Sequence, residues 1–181
     1  MRKIQNLLLI LAAGILLAGC GKNPYDQGME ALESGAYEEA AAQFQQAVAD
    51  EKNTADSYRG LGLALWEQED YEGAREALVS ALEEGSQESG TIYHLLGSCE
   101  LKLHQAEQAL DYFDKGLTME GNSKELIREM KRGQIIACEE LGDLASARTL
   151  LEEYLEEYPD DEAAAKEDRD WACESWLSPQ V

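Results

Sequence analysis

A spacing of about 34 residues, repeated along most of the chain, constrains the fold more than anything else in this sequence. Gly28, Tyr37, Ala40, Phe44 and Ala47 recur 34 residues later as Gly62, Tyr71, Ala74, Leu78 and Ala81. They recur 35 residues further on as Gly97, Ala106, Ala109, Phe113 and Gly116, and the last four positions return 38 residues beyond that as Leu144, Ala147, Leu151 and Tyr154. Within a copy the apolar residues fall at i, i+3, i+4 and i+7, the period of an amphipathic helix. In the second copy these are Leu61, Ala64 and Leu65, then Ala74, Leu78 and Ala81. Each copy therefore reads as two helices of about a dozen residues. One such pair cannot bury both of its apolar faces, so the copies must stack. Small residues at Gly62, Ala74 and Ala81 let the paired helices approach closely, while Tyr71 and Leu78 fill the space between turns.

The pattern resembles the tetratricopeptide repeat family, with its W-x2-L-G-x2-Y, then A-x3-F, then P. The second copy carries it as Tyr58-Arg59-Gly60-Leu61-Gly62-Leu63-Ala64-Leu65 followed by Ala74-x3-Leu78; the third has Tyr93-x2-Leu96-Gly97 and Ala109-x3-Phe113. The first copy puts Pro24 at the aromatic position, where it suits a helix start. The fourth has Lys131 there and Ile135 in place of the glycine, and it alone keeps the closing proline, Pro159. The resemblance covers roughly residues 21–161. It implies an all-α, right-handed α-solenoid of four helix-turn-helix pairs at about 24–54, 55–89, 90–122 and 123–159. Gly35-Ala36 and Gly142-Asp143 punctuate the first and fourth pairs. Ser123 is a good N-cap for a helix from Lys124 to about Leu141, one turn longer than its counterparts. After Pro159, Asp160-Asp161 reads as another helix start. Residues 160–181, with Trp171 and Trp176, are expected to form a capping helix and tail; the alternative is that the two tryptophans form a docking patch.

The first twenty residues are of another kind. Met1-Arg2-Lys3 precedes an apolar run from Leu7 to Leu17 that is far shorter than the ~20 residues of a spanning helix, the arrangement of a targeting signal. It ends in Leu17-Ala18-Gly19-Cys20. This order resembles the signal peptide and lipobox of bacterial lipoproteins; an ordinary secretory signal with a cysteine at its cleavage site is the alternative. The resemblance implies removal of residues 1–19, lipidation of Cys20, a short lipidated N-terminus at 20–23, and an extracytoplasmic protein anchored to a bacterial membrane. From Cys20 onward thirteen basic residues face all thirty-seven acidic ones, a net charge of −24. Such a surface repels nucleic-acid phosphate, so no nucleic-acid partner is expected. It repels anionic lipid as well, which leaves attachment to the acyl chains.

No catalytic constellation is present. His94 and His104 are the only histidines, and no HExxH, GxSxG or zinc-type cysteine spacing occurs. The acidic run from Glu152 to Glu162 lacks the alternating ligands and central glycine of a calcium loop and reads as a solvated helix face. Beyond Cys20, the thiols Cys99, Cys138 and Cys173 read as small buried side chains; one disulfide among them stays open. No cofactor, metal or catalytic residue is expected.

The family resemblance places partner binding on the concave face, lined by the first helix of each pair. Mapped by position, this face offers Tyr25 and Met29, then Arg59, Leu63 and Trp66, then His94, Ser98, Leu101 and Lys102, and finally Arg132 and Ile136. The family's best-known peptide clamp uses lysine and asparagine in the first pair and a basic pair in the third; those positions here hold Tyr25, Met29, Gly60, Thr91 and Leu95. Arg59, Lys102 and Arg132 could still receive a carboxylate, although Asp26, Asp56, Glu67, Glu139 and Glu140 share the groove. The expected function is a non-catalytic, membrane-anchored scaffold that holds a peptide or partner subunit. The alternatives are an assembly lipoprotein for envelope complexes and, from another class, a small envelope enzyme or enzyme accessory.

Overall fold

A computed structural model of the chain describes residues 22–162 and 164–166. The signal segment, Cys20, Trp171, Cys173 and Trp176 lie outside the described residues. The described residues carry helices and turns and no strand. Among the described residues eight helices follow one another: α1 (Pro24–Glu33), α2 (Tyr37–Ala49), α3 (Thr54–Glu67), α4 (Tyr71–Glu83), α5 (Gly90–Lys102), α6 (Ala106–Thr118), α7 (Lys124–Glu140) and α8 (Leu144–Glu157). Each packs on the next along the chain. Two first helices also meet their counterparts in the following pair, α1 on α3 and α5 on α7, whereas α3 and α5 make no comparable contact. This is an α-solenoid whose first helices share one layer and whose second helices share the other.

Glycine and phenylalanine set the spacing of the layers. Phe44 and Phe113, on α2 and α6, are 0% and 1% exposed. Each sits against two glycines on neighbouring first helices. A Cβ on Gly28 or Gly60 would lie 2.8 or 2.4 Å from the Phe44 ring, and one on Gly97 or Gly133 would lie 2.7 or 2.4 Å from the Phe113 ring. Where the second-helix residue is smaller, one glycine is replaced by a larger residue, although Gly62 stays against Leu78. Leu78 shares its core cluster with Leu95 at the position equivalent to Gly60, and Leu151 shares its cluster with Ile135 at the position equivalent to Gly28. A smaller residue on the second helix is thus met by a larger one on a neighbouring first helix.

The turns repeat as faithfully as the helices. Inside the four pairs the chain reverses at Gly35, Glu69, His104 and Gly142, all with positive φ. The next residue's amide then donates to a carbonyl five residues back: Ala36 to Ala31, Asp70 to Leu65, Gln105 to Glu100 and Asp143 to Cys138, at 2.8–3.0 Å. This is a Schellman close. Asn23, Asp70, Ser89, Ser123 and Asp143 cap the helices that follow, accepting from backbone amides in the first turn. Such a cap contributes about 1 kcal/mol. Cys99 and Cys138 are free and buried; burial pushes the Cys99 thiol up to about 12.

Beyond Pro159 the chain turns back onto the fourth pair. Residues 162 and 164–166 are helical, and Ala164, 1% exposed, packs with Ile135, Leu151 and Tyr154. Asp161 caps this start through the Ala164 amide at 3.2 Å. Its carboxylate also accepts from Tyr154 Oη at 2.6 Å, from Arg128 at 2.7 Å and from Arg132 at 3.2 Å. The Tyr154 hydroxyl, then Arg128, hold the Asp161 carboxyl well below the usual carboxylate range.

Candidate functional site

Three first helices converge on a cavity of about 330 Å³. Tyr25, Met29 and Leu32 of α1 form one wall, and Asp56, Arg59, Gly60 and Leu63 of α3 form the middle. Ser89, at the cap of α5, and Thr91, Ile92 and Leu95 of α5 close the far side. Behind it, Phe44 draws α1 and α3 together through Gly28 and Gly60, and the Tyr25 ring tilts against Phe44 at 6.0 Å between centroids. The walls are mainly aliphatic and aromatic. Their two charged side chains, Arg59 and Asp56, pair with each other at 3.0 Å while remaining about half exposed. The cavity therefore offers an apolar interior with a self-neutralised ion pair at its mouth.

The structure distributes the eleven residues that position alone put on the concave face. Tyr25, Met29, Arg59 and Leu63 line the cavity together. Trp66, one turn beyond Leu63, is half-buried and packs with the Leu78–Leu96 cluster; its ring meets the Tyr71 ring edge-on at 5.0 Å. Lys102 approaches the same Tyr71 ring at 5.8 Å. His94 is half-buried, 3.5 Å from Glu129 and close to the Phe113 ring. Burial pushes its pKa below the ordinary value, against the pull of Glu129. Ser98 is half-buried, and Leu101 packs against the Phe113–Met130 cluster. Arg132 is turned onto Asp161, and Ile136 stands 39% exposed. Leu32, Ser89 and Ile92 belong to the cavity without having been singled out. Ile92, 1% exposed, has the periodicity of a core residue, and Ser89 has that of a helix cap.

Among the described residues no group of three or more histidine, cysteine, aspartate or glutamate side chains is placed to hold a metal ion. No described helix is long and apolar enough to cross a membrane.

The tetratricopeptide repeat profile matches residues 25–89 and 94–162, most of the chain and at least part of each of the eight helices. The chain belongs to the tetratricopeptide repeat family. Tetratricopeptide repeats are in general a non-catalytic, protein-interaction fold. Among solved structures, YrrB, described as a tetratricopeptide repeat protein with an unusual peptide-binding site, superposes with a TM-score of 0.69 at 23% identity, covering 83% of this chain and 80% of that one. MamA of AMB-1 gives 0.65 at 18%, covering 78% and 74%. A tetratricopeptide repeat protein from Parabacteroides merdae gives 0.53 at 16%, covering 81% and 70%. At these identities the likeness is one of fold. Comparison with curated protein sequences yields no match.

Proposed function

We propose that this protein is a non-catalytic scaffold, tethered by lipid on Cys20 to the outer side of a bacterial membrane, that holds a peptide or partner subunit in its concave groove. The cavity shared by α1, α3 and α5 carries this reading. It is mainly apolar and is lined by the first helices of three consecutive pairs. A cavity of this kind gives one side chain of a partner a desolvated seat, the setting in which interface anchors contribute most. The peptide-binding site of YrrB, on a similar fold, supports a peptide as the class of occupant.

A photo-crosslinking residue placed in the living cell at Met29 or Thr91, in the groove, is compared with one at Gln45 or Asp111, on exposed second-helix positions. The groove positions should yield a discrete crosslinked species that the outer positions do not. The same species from Gln45 or Asp111, with none from the groove, would overturn the concave-face assignment. Attachment is read separately. Cys20→Ser lacks the thiol for a thioether and should lose acyl mass and detergent-phase partitioning; equal partitioning of the two proteins would end the lipid-anchor reading.

A further inference from the structure

We propose that the α1–α3–α5 cavity selects a partner segment that inserts one bulky apolar side chain and carries basic residues on either side of it. This rests on the concave-face reading above and adds the chemistry of the ligand.

The apolar half of the statement comes from the walls. Met29, Leu32, Leu63, Ile92 and Leu95 present hydrocarbon to the cavity, and Tyr25 closes it with a ring. The polar lining consists of Ser89, Thr91 and the Asp56–Arg59 pair, which is already satisfied within itself. A charged side chain pushed inward would lose water without gaining a free counter-charge, which is unfavourable. An apolar one would only lose contact with water.

The basic half comes from what surrounds the mouth. Residues 22–89, which supply α1 to α4, contain four cationic side chains and sixteen acidic ones. Three of the four cations are committed: Lys22 to Glu30, Arg59 to Asp56, and Arg75 to Glu72 and Glu100. Asp26 lies next to Tyr25 and one turn before Met29, and Glu67 lies one turn after Leu63, so acids flank the cavity along both helices. A segment bearing carboxylates would meet this field as repulsion, and one bearing lysine or arginine as attraction. The molecule also shows where a carboxylate goes instead. Arg128 and Arg132, at the far end of the first-helix layer, already hold Asp161.

The test uses the full-length protein in neutral detergent and three fluorescent twelve-residue peptides at 0.15 M salt. The first has a central Leu-Phe flanked by three lysines on each side. In the second the central pair is Ser-Ser, and in the third the lysines are glutamates. Fluorescence anisotropy should show the first binding at least tenfold more tightly than either of the others. Thr91→Arg, on an exposed residue at the cavity rim, should weaken the first peptide at least fivefold. Arg59→Ala, which frees Asp56, should strengthen it. Equal binding of the Ser-Ser peptide overturns the apolar anchor, and equal or tighter binding of the glutamate peptide overturns the basic flanks. Weakening by Arg59→Ala would mean that Arg59 serves a carboxylate, and no binding of the first peptide at 1 mM overturns the proposal as a whole. In each of these cases a crosslink from Thr91 in the cell would leave the groove standing as the binding face. Loss of that crosslink would remove the groove itself.

Discussion

The left-handed residue that closes each helix pair is glycine in the first and fourth pairs, but Glu69 (φ 61°) in the second and His104 (φ 57°) in the third. An L side chain in this region costs roughly 1 kcal/mol that glycine does not. Glu69→Gly and His104→Gly should each raise stability by about 0.5–1 kcal/mol, or roughly 2 °C in melting temperature. Gly35→Ala and Gly142→Ala should lower it by a similar amount, all measured by thermal unfolding. Because glutamate and histidine do not announce a turn, only the glycine-marked reversals were legible in the sequence, although the same backbone recurs four times. Two buried acids should set opposite pH dependences. Glu100, 5% exposed on α5, is raised by burial, and Arg75 opposes this only from 3.9 Å. A carboxyl raised on folding favours the native state below its ordinary value near 4.3 and loses that contribution as pH rises through its native value. Glu100→Gln should therefore stabilise the protein at pH 7, with the gain fading towards pH 4. Asp161 is depressed, so its contribution is complete above about pH 4 and is lost as pH falls through its native value. Asp161→Asn should cost about 2 kcal/mol at pH 7 and flatten the acid side of the curve of melting temperature against pH.

Between neighbouring helices, the exchange of glycine for bulk decides how closely the first helices stack. Gly133→Ala puts a methyl group 2.4 Å from the Phe113 ring and should cost about 1–3 kcal/mol in urea unfolding. Adding Phe113→Leu should recover part of that loss, because Leu78 with Leu95 and Leu151 with Ile135 already show the smaller-against-larger arrangement. A coupling energy near 1 kcal/mol or more is expected from the double-mutant cycle; strict additivity would show that Phe113 and position 133 do not share one space. The repeat made the helices and their order legible because Gly28, Ala40, Phe44 and their equivalents are spaced by the packing itself. The longer α7 was legible for a local reason, since Ser123 caps it and Gly142 ends its turn. The cavity was legible only in part. Tyr25, Met29, Arg59 and Leu63 follow from position within a repeat, but the cavity is made by three repeats at once. Ile92 lines it while also belonging to the core, and helical periodicity assigns a residue to one face only. Arg132 illustrates the converse, because its partner Asp161 lies 29 residues away, beyond the last repeat.

Across the whole molecule, stability in a stacked array is a sum of pair and nearest-neighbour terms, so its ends and its thinnest seam matter most. The α4–α5 contact is the least extensive of the consecutive ones. At the carboxyl end, no fifth pair follows the fourth among the described residues, yet Leu151 and Tyr154 are 0% and 1% exposed. Ala164 packs with both of them, and Asp161 ties the same segment to Tyr154, Arg128 and Arg132. Stopping the chain after Pro159 removes the carboxylate and the apolar cover together. It leaves two arginines without their acid and an apolar face open to water, a combination that costs several kcal/mol. The melting temperature should fall by roughly 5 °C or more, and the shortened protein should associate as its concentration rises. Nearest-neighbour coupling further requires the loss to be local. Hydrogen exchange should accelerate in α7 and α8 while α1 to α4, beyond the thin seam, keep their protection. An unchanged melting curve would mean that residues beyond Pro159 are not the cover of the fourth pair. Acceleration spread evenly over all eight helices would mean that the array unfolds as one unit, and that the seam between the second and third pairs does not divide it.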